Sequence, residues 1–356
     1  MRAQLLAHAL QARGVDVQVL TTSDEGAAFL AGFGVQAPVL SRHYAVQFDA
    51  AQNMRRQATD ANVAAYLFHP GRVGRDVVRL RSWLQDADLV VNDSFHPALL
   101  LIGCLPRWRH KVVHVHGDSL RKALETHFDG RWPRWLASLY RRAVAWQIDS
   151  ARACVTHDFA RPEPTRQGRS HGLPTPVAVV EPPEGDVATP TAAVYLNPHF
   201  RDPAFAQALE EGLAGAALAS HRVGEGYPTR PGWVAQDTAW VERAAVSELI
   251  VSAPGMAALS VALVYQRPLL LVVTEQPEQQ LNAARAQSLG LRLRTVVWRG
   301  DRPAFAQAVQ QAVQALRAPP AAESGLSQGR GVDRARARLQ VWVDVLCELA
   351  QPQAGH

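Results

Sequence analysis

The chain has 356 residues, 47% hydrophobic and 19% charged; that composition excludes wholesale disorder and, at about 100–200 residues per domain, favours two domains. Its 37 Lys+Arg against 32 Asp+Glu give a net charge of +5, and all but two of those basic residues are arginines, the exceptions being Lys111 and Lys122. Such a skew reflects a GC-rich bacterial genome rather than nucleic-acid binding, and neither a basic-aromatic module nor a G-x-x-x-x-G-K-[ST] loop is present.

Three cysteines, Cys104, Cys154 and Cys347, are an odd number without C-x-x-C spacing. They predict reduced thiols of a cytoplasmic protein, with neither a disulfide framework nor a zinc site. The opening MRAQLLAHALQARG has no signal-peptide layout; Leu5, Leu6, Ala9 and Leu10 fall at helical spacing and Gly14 stops the helix. VDVQVLT (15–21) alternates and is rich in β-branched residues, which predicts a strand. A helix stopped by Gly34 and a short APVL strand follow. ADLVVND (87–93) and HKVVHVHGD (110–118) read as buried strands with polar carboxyl ends, separated by the apolar PALLLIGCL. Helix alternating with buried strand predicts a doubly wound α/β domain, whose ligands sit at the carboxyl ends of the strands. Asp93, Ser94, His96, His116 and Asp118 occupy those ends.

Residues 161–190 are rich in Pro and Gly, with VAVV the one expected strand, and predict the crossing between domains. The alternation then resumes: AAVYLN, ALASHRVG, ELIVSAPG, RPLLLVVT and TVVW as strands, with helices between and after them. The expected division is 1–185, 190–330, and a C-terminal helix in 331–356 crossing back to the first domain. The uncharged stretch 249–266 has Pro254-Gly255 in its middle and reads as strand, turn and helix rather than a membrane span.

Ser252–Leu291 carries Gly255, Pro268, Glu278-Gln279, Asn282-Ala283 and Gly290 in sequence. This register resembles the donor-domain core of GT-B glycosyltransferases, in the branch related to family 28, and the opening helix, strand and helix resemble the start of the same branch. The resemblance implies two Rossmann-like doubly wound α/β domains. It implies a nucleotide-diphosphate sugar as co-substrate, without resident cofactor or metal, and an unidentified acceptor, a lipid or cell-envelope glycan among the options. Donor contacts are implied at Asn197, Ser252, Gly255, Met256, Glu278, Gln279 and Asn282. Gly255 would let a diphosphate approach the free N–H groups of a helix N-terminus, and Glu278-Gln279 would bond sugar hydroxyls; the plainer reading is a tight turn and a helix start. Acceptor contacts would fall to Ser94, His96 and Asp118, with Asp93 or His116 as base. Nucleotide-sugar epimerases, hydrolases and non-catalytic binding proteins of the same fold are the alternatives.

Two departures stand out. Family members carry Thr or Ser and a ribose-binding Glu where this chain has Ala258 and Val261. They also open with a strand and a Gly-His loop ahead of the helix that here starts at Met1, so the first strand of the N-terminal domain is expected to be missing, with Met1 an internal methionine.

Three further patterns keep more than one reading each. His114-x-His116-x-Asp118 suits a metal, a cleft role or structural capping. Asn197, His199 and Arg201 suit phosphate or a plain turn. GRWPRWLASLYRRAVAW (130–146) combines Trp132, Trp135 and Trp146 with four arginines, and residues 101–170 hold 13 basic against 6 acidic side chains. That helix packs on its sheet or makes peripheral contact with the anionic inner face of a membrane.

Overall fold

The computed structural model describes residues 2–40, 70–93, 96–117, 133–181, 191–198, 200–273, 277–318 and 329–352. These divide into two compact units: the first gathers described residues up to 40, from 70 to Thr175 and from Arg338 onward, the second those from Pro176 to Ala337.

In the first unit, α1 (Arg2–Gln11) and α2 (Asp24–Ala31) precede α3 (Pro70–Asp86), β1 (Val90–Asn92), α4 (Pro97–Ile102), β2 (Val112–Gly117), α5 (Arg134–Ser150), β3 (Ala153–Asp158), β4 (Thr165–Gln167) and β5 (Ser170–Pro174). The sheet order is β1-β2-β3-β5-β4, parallel except for the β4–β5 hairpin. Alternation divides the faces of each strand. Val113, Val115, Ala153 and Val155 pack with Leu6 of α1 and Trp342, while Val112 joins Leu99 and Ile102 of α4, and Cys154 joins Leu100 and Ile148.

The second unit contains β6 (Thr191–Leu196), α6 (Pro203–Gly215), β7 (Ala219–Gly224), β8 (Trp233–Val234), α7 (Trp240–Val246), β9 (Leu249–Ser252), α8 (Met256–Tyr265), β10 (Leu269–Val273), α9 (Pro277–Ser288), β11 (Leu293–Val297) and α10 (Arg302–Arg317). Its six strands are all parallel, in the order β11-β10-β9-β6-β7-β8. A parallel sheet covered on both faces needs strands apolar on both sides, and every residue of Leu269–Val273 is buried. The last helix, α11 (Gly329–Ala350), begins in this unit and continues into the first.

Three expected strands differ. Residues 15–20 form no ladder, and Thr21 makes a lone parallel bridge to Val39, all that remains of the APVL strand as well. Alternation supplied one apolar face, but strand formation also needs a neighbour along the chain's length. Ala178 and Val180 of VAVV are held instead by one side chain: the Tyr265 hydroxyl donates to Ala178 O at 2.6 Å and accepts from Val180 N at 2.9 Å. Conversely, the expected crossing segment contributes the β4–β5 hairpin, made possible by Gly168 at φ 58 in its two-residue turn.

Candidate functional site

In the second unit the sheet's carboxyl edge holds the donor candidates. Ser252 ends β9, buried beside Tyr195 of β6 and Leu271 of β10, and Asn197 follows β6 directly. Ala253-Pro254-Gly255 then turn the chain into α8. Gly255 is the N-cap residue of α8 at φ −82, ψ 149, extended backbone that any residue adopts, and it supplies no side-chain cap. Among the described residues, a Cβ built on it would meet nothing nearer than Ala253 O at 3.9 Å. Neither the backbone conformation nor the packing of the described residues therefore requires glycine here. Asn282 of α9 pins the turn by donating from Nδ2 to Pro254 O at 3.2 Å. Gln279 lies half-buried on the first turn of α9, and Ser260 Oγ donates to Met256 O at 2.7 Å. The Glu278 side chain and His199 lie outside the described residues, while Arg201 Nε donates to the adjacent Pro198 O.

Ala258 and Val261, standing where the resemblance expects Thr or Ser and Glu, are buried in the apolar body of α8. Neither offers a polar atom to a ribose.

In the first unit, Asp93 follows β1 and pairs with the guanidinium of Arg2, at the start of α1. Arg2 also donates to His157 Nε2, which leaves His157 Nδ1 to donate to Thr175 Oγ1 at 3.0 Å. The tautomer follows from that bonding pattern. Burial pushes the Asp93 carboxyl up from its ordinary value although 36% of the side chain stays accessible; Arg2 pulls it the other way. Burial, helped by Arg2 and His116, lowers His157 to about 3.

His116 lies in the interior with both ring nitrogens engaged: Nδ1 donates to Gly117 O at 2.9 Å, and Nε2 accepts from Cys154 Sγ at 3.1 Å. His114, on the same face of β2, has Nδ1 at 3.1 Å from Asn92 Nδ2, and burial lowers it to about 4. His96 caps α4, its Nδ1 accepting from Ala98 N at 3.2 Å, and its own N–H donates to Asn92 Oδ1 at 2.8 Å. Its Nε2 lies 3.9 Å from Asp76 of α3. Ser94 and Asp118 lie outside the described residues. Among the described residues no group of three or more His, Cys, Asp or Glu could hold a metal ion.

The structure thus brings Ser252, Gly255, Met256 and Asn282 together around one turn, while Asp93, His96 and His116 enter separate bonding groups. Sequence reasoning missed Arg2, Asn92 and His157. Asn92 and His157 sit at strand ends like the residues singled out, so the same rule could have found them. Arg2 carried no such signal, because its partners are 91 and 155 residues away.

The buried histidines predict an acid-sensitive fold. His114 and His157 are neutral in the folded chain down to about 4 and about 3, whereas the unfolded chain protonates them near 6.5. The unfolded state therefore binds more protons below that value, and stability is lost as pH falls, with Asp93 working in the opposite sense. Urea unfolding should show a loss of about 2–5 kcal/mol between pH 7.5 and 4.5. Flat or rising stability across that window would contradict neutral burial of these rings.

Solved structures match along almost the whole chain. The kitacinnamycin glycotransferase aligns at a TM-score of 0.60 with 16% identity, covering 98% of this chain and 95% of that one. VinC, a glycosyltransferase solved in complex with dTDP, gives 0.56 and 15% over 98% and 96%. LpCGTa, solved in complex with UDP, gives 0.56 and 14% over 99% and 96%. The chain has the GT-B fold. No family model and no curated protein matches the sequence. Within the GT-B frame the two predominantly parallel sheets are those of the two Rossmann-like domains expected from the sequence.

Proposed function

We propose that this GT-B chain is a glycosyltransferase that takes a sugar from a nucleotide-diphosphate donor bound by the second unit and passes it to an acceptor hydroxyl held by the first. The carrying observation is Gly255: the residue without a side chain stands where backbone conformation and the neighbouring atoms of the described residues would accept any other. What a Cβ would obstruct is the approach of a ligand to the N–H groups at the start of α8, where the helix dipole favours a diphosphate. Met256 would donate its backbone N–H there, and Asn282 keeps the turn in place through Pro254. Ser252 and Asn197 would border the nucleotide, with Glu278 and Gln279 toward the sugar. The nucleotide-bound neighbours VinC and LpCGTa support a donor of this class.

In an inverting displacement, the Asp93 carboxylate takes the acceptor proton as the acceptor oxygen bonds the anomeric carbon. The bond from that carbon to the diphosphate oxygen breaks, and the diphosphate leaves with its charge met by α8. An Asp93 pKa raised by burial makes this carboxylate a stronger base than an exposed one. Because His116 has both nitrogens engaged, its role would be to orient neighbouring groups rather than to take the proton.

Val261 favours a second reading, a nucleotide-sugar-binding protein that has lost transfer, because a ribose receives no carboxylate from α8. The first test is a thermal shift with UDP and dTDP at millimolar concentration. Occupancy at 100 times Kd should stabilise the fold by about 2.7 kcal/mol, and no shift would defeat both readings. Sugar release or transfer from the donor that binds then separates the transferase from the binding protein.

A further inference from the structure

A stripe of apolar side chains runs along the outer side of α5, independent of the donor turn. Trp135 is 70% exposed, Leu139 58% and Trp146 59%. At about 100° per residue, these three fall within roughly 40° of one another and span about 16 Å of helix. Ala137, Val144 and Ile148, the buried residues of α5, lie on the opposite side, where Tyr140, Val144 and Ile148 pack with Leu100 of α4 and Cys154 of β3. The core of the first unit therefore already satisfies α5 without using its tryptophans.

Leaving two indoles and a leucine in water is unfavourable by about 25 cal/mol per Å² of apolar area, so their alignment calls for a partner. Charge indicates which kind. Arg142 is exposed within the stripe, and Arg134 and Arg141 are exposed roughly 120–140° round the helix from its centre, against the lone acid of this helix, Asp149, near its C-terminal end. Tryptophan and arginine on one amphipathic helix suit a bilayer interface: indoles enter the headgroup–acyl boundary while guanidinium groups reach phosphates from long apolar stems. A second copy of this chain fits worse, because two-fold pairing along the stripe would set Arg142 and its neighbours against their own like charges.

We propose that the α5 face bearing Trp135, Leu139 and Trp146 is a peripheral docking surface for a bilayer containing anionic lipid. No helix among the described residues is long and apolar enough to cross a membrane, so attachment through this face is interfacial and reversible. The arginines supply attraction that falls off within a Debye length, and the tryptophans supply the buried apolar area.

The test is co-sedimentation of the full chain with phosphatidylcholine vesicles containing about 30% phosphatidylglycerol, compared with phosphatidylcholine alone. Binding to the anionic vesicles should weaken about tenfold or more in the double variant Trp135→Ser/Trp146→Ser, and similarly in Arg134→Gln/Arg141→Gln/Arg142→Gln. The replaced side chains are exposed, so urea midpoints of both variants should match the parent chain, which separates lost binding from lost folding. Absence of binding to the anionic vesicles, equal binding to the neutral ones, or unchanged binding by the variants would overturn the proposal. So would a concentration-dependent dimer that the tryptophan substitutions abolish, since that would make the occupant a second copy.

Discussion

Gly255→Val should remove nucleotide-dependent stabilisation while leaving the unfolding midpoint of the free protein nearly unchanged. Valine is a severe choice for a glycine position with positive φ, where strain alone would unfold the turn. Here the backbone is extended at φ −82, ψ 149, a region that β-branched residues favour, and among the described residues the nearest atom to a new Cβ is 3.9 Å away. The fold therefore has no reason to resist. A diphosphate does, because the two methyl groups would fill the space over the first N–H groups of α8, which carry the favourable end of the helix dipole. Losing two charge-assisted hydrogen bonds at about 1.5–3 kcal/mol each would raise Kd by at least about a hundredfold. Calorimetric titration with UDP and dTDP measures this, and a midpoint shift without loss of binding would identify Gly255 as a folding residue instead.

That separation of binding from folding could not be made from the sequence. A Gly between a buried strand and a helix is legible as a turn, but whether the turn needs glycine depends on φ and on neighbouring atoms. What could be read were features with local causes: the apolar run Leu269–Val273, covered on both faces, and the helix ends at Gly14, Gly34 and Gly290, all at φ near 77. What escaped depended on partners far along the chain. VDVQVLT has the alternation of a strand but little beside it to bond, whereas the Pro- and Gly-rich segment also holds a hairpin, closed by Gly168, that its composition did not suggest. The bonding groups of the first unit were visible only as residues at strand ends. Its actual organisation comes from Arg2, which gathers Asp93 and His157, and from Cys154 and Asn92, which engage His116 and approach His114.

Trp342→Ala should be the most damaging single change to the first unit. Trp342 is fully buried on α11, among Leu6 of α1, Val113 and Val115 of β2, Ala153 and Val155 of β3, and Leu173 of β5. One side chain thus fills the space between the sheet and two helices from opposite ends of the chain. Removing a buried indole costs about 3–5 kcal/mol. Its Nε1 also donates to Pro174 O at 2.8 Å, so truncation orphans a buried carbonyl at the end of β5 for about 1–3 kcal/mol more. Trp342→Phe separates the two contributions: it keeps most of the packing and loses the hydrogen bond. Urea unfolding should show alanine much below phenylalanine and phenylalanine below the parent, with the loss in the transition of the first unit. The core of the second unit, built on α6, α10 and its own sheet, contains no atom of this residue. The effect reaches the Arg2–Asp93 pair as well. The ring stands edge-on to His157 at 6.1 Å and lies under the Arg2 guanidinium at 5.9 Å, the group that holds Asp93. A truncation that loosens α11 therefore frees Arg2, and the Asp93 carboxyl should lose its charge partner along with its packing. An alanine variant within about 1 kcal/mol of the parent would show that α11 does not hold the first unit together.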